Sequence, residues 1–168
     1  MKRIIIAGVP ATGKTFMGDY MENNLGFKHF DVENMKEEDA REINIRNLFC
    51  EVNIDQFIKE IGSDSDIVIT WGFVCDDQRS LSIIKKLQEN GFKFIWFFAE
   101  ESLARIAFLK RKEEENWGNI DDFNTQMNRI KKLDLNIFND YVIIETMNDN
   151  GRKKESEIVT EILEAIKI

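Results

Sequence analysis

Gly8-Val9-Pro10-Ala11-Thr12-Gly13-Lys14-Thr15 has glycine, lysine and threonine at every fixed position of the spacing G-x-x-x-x-G-K-[ST]. Each residue type has a physical job in that spacing. Gly13 lets the backbone approach a bound anion closely. The N–H groups of the loop, opening into a helix N-terminus, form a nest for phosphate oxygens. Lys14 supplies a point charge able to reach β- and γ-phosphates. The Thr15 hydroxyl is a hard oxygen of the kind Mg²⁺ accepts. Pro10 fixes one φ angle and stiffens the loop. Gly8, Ala11, Thr12, Gly13, Lys14, Thr15 and Phe16 therefore form a candidate nucleotide-binding stretch.

Positioning such a loop requires a buried strand before it and a helix after it. Arg3–Ala7 is an apolar run rich in isoleucine, and Phe16–Asn24 has a helical pattern. At ordinary residue frequencies the motif arises by chance in roughly one chain of this size in two hundred, and the strand and helix context lowers that further. Four more strands are expected at Phe27–Asp31, Asp66–Trp71, Phe92–Ala99 and Tyr141–Glu145. The first, third and fifth are nearly continuous in apolar character, as parallel strands buried on both faces are. Ile54, Phe57, Ile58 and Ile61 line one helix face, and Leu81, Ile84 and Leu87 another that closes at Asn90-Gly91. Ile158, Val159, Ile162, Leu163 and Ile166 stripe a last helix. Strands alternating with helices predict an α/β domain with a parallel sheet between two helix layers. Residues 34–49 and 110–122 are polar and fit the sheet poorly, so both read as insertions over the strand ends, where open α/β sheets bind ligands.

Composition narrows the function classes. At 168 residues the chain suits one domain, 1–168. The formal net charge of −8 is a poor grip for a polyanion, so nucleic acid is not the expected partner. His29 is the single histidine, which excludes a histidine-built metal site. Two cysteines, Cys50 and Cys75, make no disulfide framework and point to a reducing compartment, read as the cytoplasm. No apolar run approaches the roughly 18 residues of a membrane span, and Lys14 ends the N-terminal apolar stretch too early for a secretory leader. Asn-Lys-x-Asp, the guanine-reading element, and Leu-Ser-Gly-Gly-Gln, the transporter signature, are both missing, and the chain is too short for a ring ATPase.

With these features the sequence resembles the P-loop kinases of small molecules, the group of nucleoside monophosphate, shikimate and gluconate kinases. The resemblance runs along nearly the whole chain in the order of its elements. It implies a five-stranded parallel sheet in order 2-3-1-4-5, a substrate-side insertion at about 34–49 and a lid at about 105–125. Asp31-Val32-Glu33 looks like the Asp-x-Asp of shikimate and gluconate kinases, with Glu in second place. By that likeness Asp31 lies near Mg²⁺ and orients the acceptor, and Glu33 faces the acceptor. Thr70-Trp71-Gly72-Phe73 stands where adenylate kinase has Asp-Gly-Phe-Pro-Arg; Val74 and Cys75 replace its proline and arginine, and no aspartate closes the strand, since Asp76 and Asp77 come too late. Gly72 would allow close approach of an acceptor. Glu101-Ser102-Leu103-Ala104-Arg105 is similar to the element that opens the lid helix, whose arginine packs on adenine. Arg111, with Lys112 as the alternative, would be the lid cation on the phosphates; the competing reading of 110–115 is a solvated helix paired at i,i+4. Arg129, on the helix returning from the lid, is a further substrate-side candidate. Asn148 falls in the loop that borders adenine in relatives.

The resemblance implies an ATP-dependent phosphotransferase using Mg²⁺. Its catalytic candidates are Lys14, Asp31 and Arg111, and its metal candidates are Thr15 and Asp31. The acceptor would be a small molecule, either a hydroxyl compound such as a sugar acid or a nucleoside monophosphate. The competing class is a nucleotide-binding regulator or adaptor with weak ATPase activity.

Overall fold

The computed structural model describes every residue except 36–38, 63, 74–76, 117 and 168. Glu37 and Glu38 of the first insertion, Val74, Cys75, Asp76 and the tryptophan of the second insertion thus lie outside the described residues.

Consecutive isoleucines build the centre. In β1 (Arg3–Gly8), Ile4 and Ile6 face one side and Ile5 and Ala7 the other, and all four are fully buried. The order along the chain is β1, α1 (Lys14–Leu25), β2 (Lys28–Asp31), α2 (Ala40–Cys50), α3 (Ile54–Ile61), β3 (Ile67–Thr70), α4 (Gln78–Glu89), β4 (Lys93–Phe98), α5 (Glu101–Glu115), α6 (Ile120–Ile130), a 3₁₀ turn (Leu135–Ile137), β5 (Tyr141–Glu145), β6 (Met147–Asn148), β7 (Gly151–Arg152) and α7 (Glu155–Ala165). The first five strands pair in parallel in the order β2-β3-β1-β4-β5. The five expected strands and the expected order are thus observed.

Two cores flank the sheet. On one face Ile5, Ile69, Phe94 and Trp96 pack against Ile45 and Phe49 of α2, Phe57 of α3 and Ile84 of α4. On the other, Ile6, Val68 and Phe97 pack against Met17 and Met21 of α1 and Ile158 and Ile162 of α7. Each such buried side chain contributes about 1.5–3 kcal/mol. A third cluster sits beyond the C-terminal strand ends: Val9, Ala104, Phe108, Phe123, Met127 and Met147. It seats the α5–α6 hairpin against the glycine-rich loop.

Three local outcomes differ from the sequence reading. The polar stretch 34–49 is largely α2, started by Asp39, whose carboxylate accepts from the N–H groups of Arg41 and Glu42. The loop expected around Asn148 is a two-stranded antiparallel hairpin of β6 and β7. The fifth strand is not buried on both faces: β5 is a sheet edge, and Ile143 is 51% exposed.

Candidate active site

The glycine-rich loop joins β1 to α1 at the C-terminal end of the sheet. Gly8 has φ 137°, and a Cβ there would lie 2.1 Å from the Phe97 carbonyl oxygen, so no other residue fits between β1 and β4. Thr12 is fully buried and its hydroxyl donates to the Val9 carbonyl at 2.7 Å, bracing the loop across its base. Ala11 and Gly13 both take positive φ, 61° and 78°. Gly13 is the N-cap of α1 and no side chain caps that helix. The N-terminal N–H groups of α1 therefore face the loop with a partial positive charge and no side-chain acceptor. Lys14 Nζ folds back to donate to the carbonyls of Val9 (3.0 Å) and Gly8 (3.3 Å), at the rim of that nest.

Asp31, at the end of β2, meets this loop. The Thr15 hydroxyl donates to its Oδ2 at 2.7 Å. Its Oδ1 accepts from the N–H groups of Glu33 (3.1 Å) and Asn34 (3.3 Å), and the Asn34 side chain donates to Oδ2 at 2.9 Å. The carboxylate is thereby fixed in orientation. Glu33 leans against the end of β3: its carboxyl oxygen would lie 2.3 Å from a Cβ on Gly72, and the Gly72 N–H bonds to it. Part of Glu33 faces solvent, yet the surrounding walls displace enough water that burial holds its carboxyl above the usual carboxylate range. Lys14 is the main opposing influence, Asp31 adds to the rise, and the Gly72 N–H and Arg46 of α2 also oppose it.

Lys14, Thr15, Asp31, Glu33 and Gly72 thus converge on one cleft. Among the described residues no group of three His, Cys, Asp or Glu side chains could hold a metal ion. Mg²⁺ does not need one, since it keeps several waters and takes one or two protein oxygens beside substrate phosphates. The Thr15–Asp31 pair, two adjacent hard oxygens beside an anion nest, fits that habit.

The other candidates lie on the rim. Arg105 donates to Glu101 at 3.0 Å and sits 5.2 Å from the centre of the Phe123 ring, tying α5 to α6. Arg111 donates to Glu115 at 2.8 Å, and Lys110 lies 3.9 Å from Glu114, so this end of α5 carries the i,i+4 pairs of the competing reading. Arg129 is in the last turn of α6. Asn148 is on β6, where its side chain accepts from the Asn150 N–H.

Sequence reasoning missed Arg152 on β7. Its guanidinium lies 4.6 Å from the centre of the half-exposed Phe16 ring and donates to the Gly13 carbonyl at 3.3 Å. Burial draws it below the ordinary arginine value, with Glu155 opposing. Arg46 was missed too, hidden in a stretch read as a polar insertion.

No protein-family model matches the chain. It is 25% identical over 164 residues to shikimate kinases of two Staphylococcus epidermidis strains, covering 94% of this chain and 91% of each relative. In structure it is similar to a gluconokinase from Sinorhizobium meliloti 1021, with a TM-score of 0.61 at 13% identity over 98% of this chain and 91% of the other. A shikimate kinase from Bacteroides thetaiotaomicron matches with a TM-score of 0.61 at 15% identity over 99% of both chains. A third, shikimate kinase from Acinetobacter baumannii in complex with shikimate, matches at 0.60 and 13% over 100% of this chain and 96% of the other. In sequence the chain is thus similar to shikimate kinases, and its fold is that of the solved shikimate kinase and gluconokinase structures.

Proposed function

We propose that this chain transfers the γ-phosphoryl group of Mg-ATP to a hydroxyl of a small-molecule acceptor. The observation that carries the reading is the 2.7 Å contact between Thr15 of the phosphate loop and Asp31, with Glu33 in the same cleft. A carboxylate held against the loop threonine is suited to orient an acceptor hydroxyl and accept its proton. Glu33, at the narrow point made by Gly72, is suited to hold a second hydroxyl of a polyol or sugar acid. Arg46 offers a cation for an acidic group on that acceptor. The shikimate kinase and gluconokinase relatives support this class of acceptor.

Thr15 and Asp31 would hold Mg²⁺, which would supply charge neutralisation for the triphosphate. Lys14 would leave the loop carbonyls and turn to those phosphates. Arg105, Arg111 and Arg129 ride on the α5–α6 hairpin, which we assign as the lid over residues 105–125. Its closure would exclude water and so protect ATP from hydrolysis. Asn148 and Phe16 would border the base.

The test is thermal shift with Mg²⁺ and ATP against a panel of polyols, sugar acids and nucleoside monophosphates, followed by phosphate-transfer assays on the hits. An acceptor that stabilises only alongside nucleotide, and is phosphorylated, is the expected result. Turnover of a nucleoside monophosphate alone would move the acceptor class. Nucleotide binding with no acceptor in the panel would favour the regulator or adaptor reading.

A further inference from the structure

The end of the sheet away from the phosphate loop holds a cavity of about 480 Å³. It lies under the first residues of β1 and β4, between Gln88 and Glu89 at the end of α4 and Ala165 and Ile166 at the end of α7. Sites for small molecules measure about 300–1,000 Å³, so the volume suits one. β1 runs six residues from here to Gly8. At about 3.3 Å per residue, the cavity is roughly 20 Å from the nucleotide cleft. Its walls are partly apolar, with Phe92 buried and Ile137 and Ile166 partly exposed. They are also braced. The Gln88 amide nitrogen donates to the Asp140 carbonyl at 2.9 Å and to the Asn139 carbonyl at 3.4 Å, which holds the turn before β5 against α4.

The charge of this cavity opposes that of the chain. Lys2, Arg3, Lys85 and Lys93 line it against Glu89 and Asp140, an excess of positive charge in a protein of net charge −8. Part of that excess serves the fold. α4 and α7 both end here, and helix C-termini carry partial negative charge. Arg3 answers one of them, donating to the carbonyl of Asn90, the C-cap of α4, at 3.0 Å. Lys93 is ion-paired with Asp140. Lys2 and Lys85 are left over. Among the described residues neither ammonium has a hydrogen-bond or ion-pair partner, and Glu89, one turn along α4 from Lys85, does not pair with it. The Arg3 guanidinium lies 5.8 Å from the centre of the Phe92 ring and has donors beyond the one that Asn90 uses. Cations around a concave, partly apolar wall focus their field into the hollow, which scattered surface lysines do not.

We propose that this cavity binds a small organic anion of two or more negative charges, separately from the nucleotide cleft. Its acidic groups sit on Lys2, Lys85 and Arg3, and its carbon skeleton lies along Phe92 and Ile137. Carboxylate and phosphate groups both suit two ammoniums and a guanidinium. The site stands whatever reaction the other end of the sheet performs.

The test follows backbone amides in ¹H–¹⁵N spectra of the full chain, without Mg²⁺ and at constant ionic strength. Two probes are titrated: citrate, which offers carboxylates alone, and 3-phosphoglycerate, which adds a phosphate. The expected result is a saturable shift of the Arg3, Gly91 and Lys93 amides with one or both, half complete at or below about 1 mM. Whichever probe binds more tightly gives the favoured acidic group. The double variant Lys2→Gln, Lys85→Gln should weaken that binding about tenfold or more, since it removes two charge-assisted contacts. Lys2→Arg with Lys85→Arg should keep it. Both lysines are exposed, so the variants should melt near wild type. ADP affinity should not change in either. No saturable shift with either probe, shifts confined to Gly13, Lys14 and Thr15, or undiminished affinity in the glutamine variant overturns the proposal. Each of these results leaves the kinase reading standing, and a failed kinase assay leaves this site standing.

Discussion

The Arg152 guanidinium stacks on the Phe16 ring at 4.6 Å and fills the space that a Cβ on Gly13 would need, 2.3 Å away. One residue of the β6–β7 hairpin is thus locked to both the phosphate loop and the first turn of α1. The lock couples the hairpin to the part of the loop that a nucleotide must touch. Arg152→Ala removes a cation–π contact, worth about 0.5–2 kcal/mol, and a hydrogen bond of about 1 kcal/mol. ADP affinity should fall about tenfold with the fold intact. Arg152→Lys should recover little, because lysine has neither the planar face nor the fork. Calorimetric titration reads both, and tighter ADP binding in Arg152→Ala would mean that the guanidinium obstructs the base site instead of forming its wall.

Lys14 donates to two loop carbonyls, Gly8 and Val9, and so helps hold the loop in its present shape. Those bonds are peripheral to the core. Lys14→Ala should therefore leave the melting temperature within a few degrees of wild type, a change of order 1 kcal/mol. Phosphoryl transfer should fall by roughly 10²–10³, the usual worth of one preorganised charge on the transferring group. A folded Lys14→Ala protein with unchanged ATP turnover would remove the loop from the mechanism.

The buried strands were legible because runs such as Ile4-Ile5-Ile6 and Ile67-Val68-Ile69 leave no polar face. The sheet order came from the family resemblance, since apolar runs say nothing about which neighbour each strand takes. The loop was legible because a fixed spacing carries it, and Asp31 because Asp31-Val32-Glu33 resembles the Asp-x-Asp of shikimate and gluconate kinases. α2 was not: only Ile45 and Phe49 of its eleven residues are buried, too few to stand out from a charged stretch. The β6–β7 hairpin was not, because two-residue strands have no period to read. Arg152 was not, because it meets a partner 139 positions away, so its role exists only after folding.

On the proposed function, Asp31 separates binding from chemistry. It accepts from Thr15, from two backbone N–H groups and from the Asn34 side chain. Asp31→Asn keeps the shape and one acceptor oxygen but loses the charge. ADP affinity without Mg²⁺ should hold, because the loop supplies most of it. Transfer to the acceptor should drop by roughly 10²–10⁴, the range for a positioned acid or base. Single-turnover kinetics beside a nucleotide titration check this, and an equal loss of nucleotide affinity would assign Asp31 to metal binding alone.

The α5–α6 hairpin carries its own acid-sensitive clasp. Glu101, in the first turn of α5, accepts from Lys131 just past α6 at 2.6 Å and from Arg105 at 3.0 Å. Its carboxyl is held below the usual value of 4.5 by the hydrogen bond from Lys131 first and from Arg105 second. A carboxyl with a lowered folded-state pKa stabilises fully above its unfolded value, and that stabilisation is lost as the pH falls through the folded one. The clasp should therefore hold at neutral pH and loosen in the acid range below the ordinary carboxylate value. Both cations are at the surface, so the effect is modest and should weaken with salt. Hydrogen-exchange protection factors for α5 and α6, followed from pH 7 down through the acid range below the ordinary carboxylate value, should drop more in wild type than in Glu101→Gln, which lacks the titrating group. At pH 7 the variant should already show the looser hairpin. Identical pH profiles in the two proteins would show that the hairpin is held by Phe108 and Phe123, whose rings lie 4.9 Å apart, and not by the clasp.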